Sequence, residues 1–363
     1  MFLIVALSIF FAGHFYIAWR INMGLNIAKP YSYCLYAVVI FIAVLMISVQ
    51  STVRRGLPEI LSPLAPISYV LMGWFAITIT VFILNDIINI PNLFLKIKSF
   101  RYYTTLFALI LSLVLSIAAI INFAAVLKIN EVHIKVPNLS VNSLRIVHLS
   151  DLHINAYTKP KVINKIFDKV ESLKPDMIVI TGDVIDTDIN KDDKFLDYGF
   201  TKLKAPYGVF AVSGNHEYYT GIKAFNEMFQ KLGVKVLNDE SVVAGNVLNV
   251  AGINDKNWDN ADIINESLSK VNPKYPTIFL SHRPEPFDLA AKNNLDIIQL
   301  SGHTHAGQIP PIWIVRKFLM KYNYGIYNIG KSILYITSGT RLWGPPMRLF
   351  SSSEIAVIVL EKE

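Results

Sequence analysis

The chain has 363 residues, of which 53% are hydrophobic and only 17% charged, and its mean hydropathy is +0.41. That balance excludes a single ordinary soluble domain, where roughly a quarter of residues are charged. The formal net charge is +7, but the second half is close to neutral. The surplus lies in short loops between apolar segments, which suits membrane-flanking loops better than a nucleic-acid surface.

Four apolar stretches come first, at 1–19, 33–49, 64–84 and 105–126. Each approaches or exceeds the ~20 residues that cross a hydrocarbon core as a helix. The fourth has almost no polar face, which argues against a soluble bundle. Trp19, Tyr31, Tyr33, Tyr102 and Tyr103 fall near segment ends, as interfacial aromatics do. The first stretch has no basic leader and its first basic residue, Arg20, follows the apolar core, so a retained anchor is expected rather than a cleaved signal. His14 lies at membrane depth, either as a functional group or as a helix contact. Cys34, the only cysteine, reads as a buried inert thiol. Arg20, Lys29, Lys96, Lys98 and Arg101 lie in the first and third loops, against Arg54, Arg55, Lys128 and Lys135 on the other side. The small excess orients the first and third loops towards the cytoplasm and the second half away from it.

Residues 128–143, mixed and polar around Pro137, read as a linker. Beyond them, strands are expected at 144–149, 177–181, 208–212, 234–237, 247–251, 277–280, 297–300, 333–337 and 355–360, with helices at 161–173 and 225–232. Strands alternating with helices early, and strand-rich sequence later, predict an α/β domain over 144–363. Its two mixed sheets would be sandwiched between helices (αββα).

Five polar clusters follow apolar strand-like runs: Asp151-Leu152-His153, Gly182-Asp183, Gly214-Asn215-His216-Glu217, Ser281-His282 and Gly302-His303-Thr304-His305. Asp and His suit divalent transition metals such as Mn, Fe or Zn. The spacing of Asp151 and His153, and of His303 and His305, is expected to send both side chains one way, because side chains alternate along an extended segment. The preceding glycines permit tight turns. Any one cluster is weak evidence, since a Gly-Asp is usually a turn and a strand-end His usually a hydrogen-bonded structural residue. Five in a fixed order make a metal site the better reading.

These clusters resemble the calcineurin-like metallophosphoesterase superfamily, with its pattern D-x-H, G-D, G-N-H-D/E, H and G-H-x-H. With the apolar spans and the stretch at 337–348, the chain is similar to the membrane-attached branch of YkuE- and YaeI-like phosphodiesterases. Arg341 stands where that branch is expected to have Gly. The resemblance implies that Asp151, His153 and His305 hold one divalent ion, that Asn215, His282 and His303 hold a second, and that Asp183 bridges both. His216 would face the substrate phosphate as a catalytic residue, and Glu217 would orient a histidine. A hydroxide between two ions about 3.5–4 Å apart would then attack phosphorus in line with the leaving oxygen.

Other residues carry weaker readings. Asp186 and Asp188 suit a solvated acidic loop better than a further cation site. His148 reads as a core residue, and His133 sits in the linker without an assigned role. Arg283 and Arg348 suit a phosphate contact or a salt link equally. The stretch 310–327 interleaves Trp313, Phe318 and Leu319 with Arg316, Lys317 and Lys321, as a flap touching a bilayer would. The expected function is a multi-pass phosphohydrolase of a bacterial cell membrane, cleaving a phosphodiester or pyrophosphate bond. The anchor favours a lipid-linked substrate, of the UDP-diacylglucosamine type or another envelope lipid. A sensor or transporter regulated by such a domain, or a nuclease, is the alternative. No nucleic-acid partner is expected, because the second half lacks a basic stripe.

Overall fold

The computed structural model describes residues 2–53, 63–155, 158–186, 198–292 and 295–363. Arg54, Arg55 and Asp188 lie outside these residues. The described chain forms two compact units.

The first unit is built on α1 (Phe2–Leu25), α2 (Lys29–Val53), α3 (Leu64–Ile88), the short α4 (Asn92–Leu95) and α5 (Lys98–Ala125). The four long helices have the length and composition to cross a membrane. They run further than the apolar stretches predicted. Arg20 does not end α1, because its guanidinium bonds Asp86 on α3, which also accepts from Tyr16 at 2.6 Å. The helices approach through buried small residues, including Ala18, Ala43, Ala65, Ala108 and Ala119, while Phe41, Phe94 and Ile110 face outward. That is the pattern of helices packed in lipid rather than in water. Cys34 is exposed rather than buried, because an apolar residue on a membrane helix is as well placed facing outward. His14 stacks on Phe75 with ring centroids 3.8 Å apart, and its Nδ1 lies 2.9 Å from the Phe10 carbonyl oxygen, so it is a helix contact. Gln308–Ile314 and Gly344–Phe350 belong to this unit. Ile309, Met347 and Leu349 share a core with Ile77, Val81 and Phe82.

The second unit contains two six-stranded sheets. In the first sheet are β1 (Leu127–Val136), β2 (Ser143–Leu149), β3 (Met177–Thr181), β4 (Val209–Val212) and β5 (Lys235–Val236), with β12 (Ser353–Lys362) inserted between β1 and β2. The second sheet holds β6 (Glu240–Ala244), β7 (Leu248–Gly252), β8 (Thr277–Leu280), β9 (Ile297–Ser301), β10 (Gly325–Ile329) and β11 (Ser332–Ile336), in the order β10-β11-β9-β8-β7-β6. Alternation along the strands builds the layers. Ile146, Val179 and Val212 meet Val250, Ile278 and Leu300 between the sheets. Val147, Leu149, Ile178 and Ile180 turn outward onto α6 (Pro160–Ser172) and α8 (Ile222–Lys231). The short α7 (Asn215–Thr220) leads into α8, and α9 (Ala261–Ser269) and α10 (Phe287–Ala290) cover the second sheet. The last helix, α11 (Ile312–Leu319), precedes β10. On α6, Ile163, Ile166, Phe167 and Val170 recur at helical spacing and are all buried. At about 1.5–3 kcal/mol per buried side chain, that face contributes roughly 6–12 kcal/mol before entropy. The expected αββα arrangement is present.

The reading of 128–143 as a linker is corrected. Its first half is β1, which pairs in parallel with β12 over ten residues, from Leu127 with Ser353 to Val136 with Lys362. An edge strand buries one face only, here through Ile134 and Val136, so its sequence looks polar.

Candidate metal centre

In both sheets the loops that carry the five clusters leave the carboxyl ends of parallel strands: β2, β3 and β4 in one, β8 and β9 in the other. All five therefore open on one end of the unit. Three groups of ligand-type atoms form there, each within 4.8 Å: Asp151, His153 and His305; His153, Asp183 and His216; Asp183, His282 and His303.

The reason the paired residues converge differs from expectation. Strand β2 stops at Leu149 and β9 at Ser301. Asp151, His153, Asp183, His303 and His305 instead hold left-handed backbones, with φ of 56°, 43°, 50°, 67° and 51°. Such φ values disfavour residues with a Cβ, and surrounding bonds must enforce them. They do so here. Asp151 N–H donates to Gly182 O at 3.1 Å and His153 N–H to Asp183 O at 3.0 Å. Thr340 N–H donates to Ser150 O at 2.8 Å, and Arg341 Nη1 donates to Leu152 O at 2.8 Å. Arg341 thus pins the loop that carries Asp151 and His153. Gly302 is required by space: a Cβ there would collide with Ser150 Oγ and Asp151 Oδ2.

The ligand-type atoms are close to one another. His305 Nε2 lies 3.3 Å from Asp151 Oδ1 and 3.2 Å from His153 Nε2. His303 Nδ1 lies 3.1 Å from His282 Nε2, which is 3.3 Å from Asp183 Oδ2. Asp183 Oδ2 is also 3.7 Å from His153 Nε2, so this carboxylate serves both sides. Two nitrogen ligands about 2.1 Å from one ion at ordinary angles are about 3.0–3.4 Å apart, so both histidine pairs fit a shared cation. Asn215 Oδ1 is buried without a hydrogen-bond partner, an acceptor that a cation would satisfy.

The surrounding bonds set orientation. His282 Nδ1 sits 2.8 Å from Thr181 O, which turns Nε2 inward. Asp186 is not the solvated loop carboxylate expected. Its Oδ1 lies 2.7 Å from both His153 Nδ1 and His216 Nδ1, so one carboxylate aims two histidines. A carboxylate three residues after Gly182-Asp183 was the available signal. Glu217 does not orient a histidine: it accepts from the backbone N–H of Gly214, Asp183, Val184 and Ile185 at 2.7, 2.9, 2.8 and 3.2 Å. It therefore locks the two turns that present Asp183 and Asn215. Burial opposes charge on His153, yet Asp186, Asp183 and Asp151 outweigh it and hold its pKa at about 9. His282 is likewise raised to about 10, against burial, mainly by Asp183. Despite burial, His282 and His153 hold the Asp183 carboxyl well below its usual range, and His153 and His216 hold Asp186 at about 2. The cluster is thus built to hold positive charge.

The remaining readings divide. His148 is a buried neutral core residue 2.7 Å from Thr181 Oγ1, with its pKa pushed down to about 3 by burial. His133 pairs with Glu361 at 2.8 Å on the surface. Arg283 contacts the site, 3.4 Å from His303. Arg348 is buried in the first unit, where its backbone N–H donates to Ala119 O. The 310–327 stretch contains α11, whose Phe318 and Leu319 are 67% and 77% exposed. Trp313 is held against Phe350, 4.9 Å between centroids.

Residues 144–307 match the family model for calcineurin-like phosphoesterases. The chain is 36% identical over 239 residues to an uncharacterized metallophosphoesterase of Helicobacter pylori (strain J99), covering 64% of each chain. It is 31% identical over 227 residues to an uncharacterized metallophosphoesterase of Aquifex aeolicus, covering 60% of this chain and 85% of that one. It is 30% identical over 283 residues to the Danio rerio transmembrane protein with metallophosphoesterase domain, covering 73% of this chain and 64% of that one. The chain therefore spans slightly less than two thirds of the Helicobacter and Danio relatives.

Proposed function

The chain belongs to the calcineurin-like phosphoesterase family, and we propose that it is a metal-dependent, membrane-anchored hydrolase with two divalent ions that cleaves a phosphodiester or pyrophosphate bond in a lipid-linked substrate. The observation that carries this reading is the sharing of Asp183 between the His153 side and the His282–His303 side. In this reading Asp151, His153 and His305 hold one ion, Asn215, His282 and His303 the other, and Asp183 both. When bound, such ions supply Lewis acidity and lower the pKa of water. The protein's own groups do the rest. Asp186 fixes His216 through Nδ1 and leaves Nε2 to donate to a phosphoryl or leaving oxygen. Glu217 and Arg341 hold the loops so that no ligand must reorganise during turnover.

Two observations support a lipid-linked substrate. Four helices suit membrane crossing, and α11 exposes Phe318 and Leu319 beside basic Arg316 and Lys317. An orientation with the catalytic unit outside the cytoplasm rests on Arg20, Lys29, Lys96, Lys98 and Arg101 against Arg54, Arg55, Lys128 and Lys135, since the rule counts basic residues rather than net charge. The test uses the full-length protein in detergent with Mn²⁺, assayed on bis(4-nitrophenyl) phosphate and on membrane lipid extract. Chelation and Asp183→Asn should abolish both reactions. Turnover that survives either treatment would sink the proposal.

A further inference from the structure

One end of the membrane helices forms a cleft to which the hydrolase reading gives no task. Its walls come from the end of α1, from α4 and the turn after it, and from the first two turns of α5. Its volume is 590 Å³, within the ~300–1,000 Å³ of ordinary ligand pockets. Specific bonds hold it in shape. Asn92 is buried and clamps the turn before α5: its Oδ1 accepts from Ile97 N–H at 2.8 Å and its Nδ2 donates to Ile97 O at 3.1 Å. Lys96 takes a left-handed backbone inside that clamp, with φ of 52°, and its N–H donates to Asn92 O at 3.0 Å. Gly24 lets α1 approach α5, since a Cβ there would collide with Thr105 Oγ1.

Lys96, Lys98 and Arg101 line the cleft, and no acidic side chain does. Among the described residues none of these three side chains makes an ion pair. Asp86 on α3 is already engaged by Arg20 and Tyr16. Three like charges around one cleft repel one another unless an anion joins them. The partial positive charge at the start of α5 acts in the same direction. The surroundings indicate which anion. Ile90, Leu93, Phe94, Leu95 and Ile97 are exposed beside the cations, and Leu93 and Ile97 line the cleft itself. Tyr102, on the opposite wall, is an aromatic suited to headgroup depth. Basic and apolar side chains so mixed suit a bilayer interface, where the first meet headgroups and the second acyl chains. A water-soluble phosphate would use only the charges.

We propose that this cleft seats the headgroup of an anionic phospholipid, with its phosphate among Lys96, Lys98 and Arg101 and its acyl chains along Leu93 and Ile97. The lipid is a bound partner and not the substrate, since none of the residues assigned to the metals lines the cleft. Bound there, it joins α1, α4 and α5.

Native mass spectrometry of the full-length protein released from neutral detergent counts bound lipid directly. The probes are dioleoyl phosphatidylglycerol, dioleoyl phosphatidylcholine with the same chains, and glycerol 3-phosphate. Phosphatidylglycerol should bind at least about tenfold tighter than phosphatidylcholine, and Lys98→Gln or Arg101→Gln should each weaken it about fivefold. Neither side chain is paired with an acid, so their loss does not threaten folding. Lys29 lies in the first loop but outside the cleft lining, so Lys29→Gln should change the affinity little. Glycerol 3-phosphate should bind far more weakly than either lipid. Equal affinity for the two lipids would overturn the site. So would losses from Lys29→Gln as large as those from Lys98→Gln, which would reveal diffuse attraction to a basic surface. Glycerol 3-phosphate binding as tightly as phosphatidylglycerol would make the occupant a free phosphate and overturn the lipid.

Discussion

His216 and Asp186 act as one device. His216 holds no ligand position in the assignment, so His216→Ala should leave metal content intact while turnover falls by about 10²- to 10⁴-fold. Near-normal turnover, with metal measured on the same sample, would reject its role. Asp186→Asn should do more, because Asp186 bonds both His153 and His216 at 2.7 Å. Metal affinity should drop about 10- to 100-fold along with turnover. The histidines also dictate a pH dependence. The pKa values of His153 and His282 are raised from 6.5 to about 9 and about 10 without metal. Their protonated forms therefore stabilise the metal-free fold below about 6.5, and that stability is lost as pH rises through about 9 to 10. Metal must displace those protons, so binding at pH 7–8 should release about two of them and tighten as pH rises. Calorimetry in buffers of different ionisation enthalpy measures the release, and its absence would show that these histidines are not displaced by metal.

Elements explain why the site was more legible than its construction. The seven candidate ligands were visible because their chemistry is written in residue type and order. The left-handed backbone at five of them was not, since around Asp151 and His153 it is held by bonds to Gly182, Thr340 and Arg341 in distant loops. In the sequence Asp186 reads as a solvated loop residue for the same reason: its worth depends on two histidines that meet only in the fold. Strand β1 was missed because its partner, β12, is the last strand of the chain and its own pattern is that of a half-exposed edge. The end of α11, by contrast, carries its apolar and basic residues openly. Replacing Phe318 and Leu319 with Ser should reduce activity on a lipid-linked substrate in mixed micelles by roughly tenfold. Activity on a soluble aryl diester should fall much less, and equal losses would reject membrane contact by this helix.

The whole molecule turns on where its units divide. If 128–143 were a linker, a chain beginning at Leu144 would keep the catalytic unit whole. The pairing of β1 with β12 argues otherwise. Removing β1 would turn β12, with the apolar run Ile355-Ala356-Val357-Ile358-Val359-Leu360, into an open ten-residue edge. Exposed edges of that length and polarity pair with other chains. A chain beginning at Val126 should therefore be more soluble and melt higher than one beginning at Leu144, with metal, salt and concentration matched. Both keep Gln308–Ile314 and Gly344–Phe350, whose Ile309, Met347 and Leu349 are buried among the helices in the full chain, so that liability is common to the pair. Any difference between them then reports on β1 alone. Indistinguishable melting and solubility would mean that β1 is dispensable and that the unit begins at β2. A clear deficit at Leu144 would mean that the strand leaving the last membrane helix is part of the catalytic sheet, and that the sheet continues directly from the anchor.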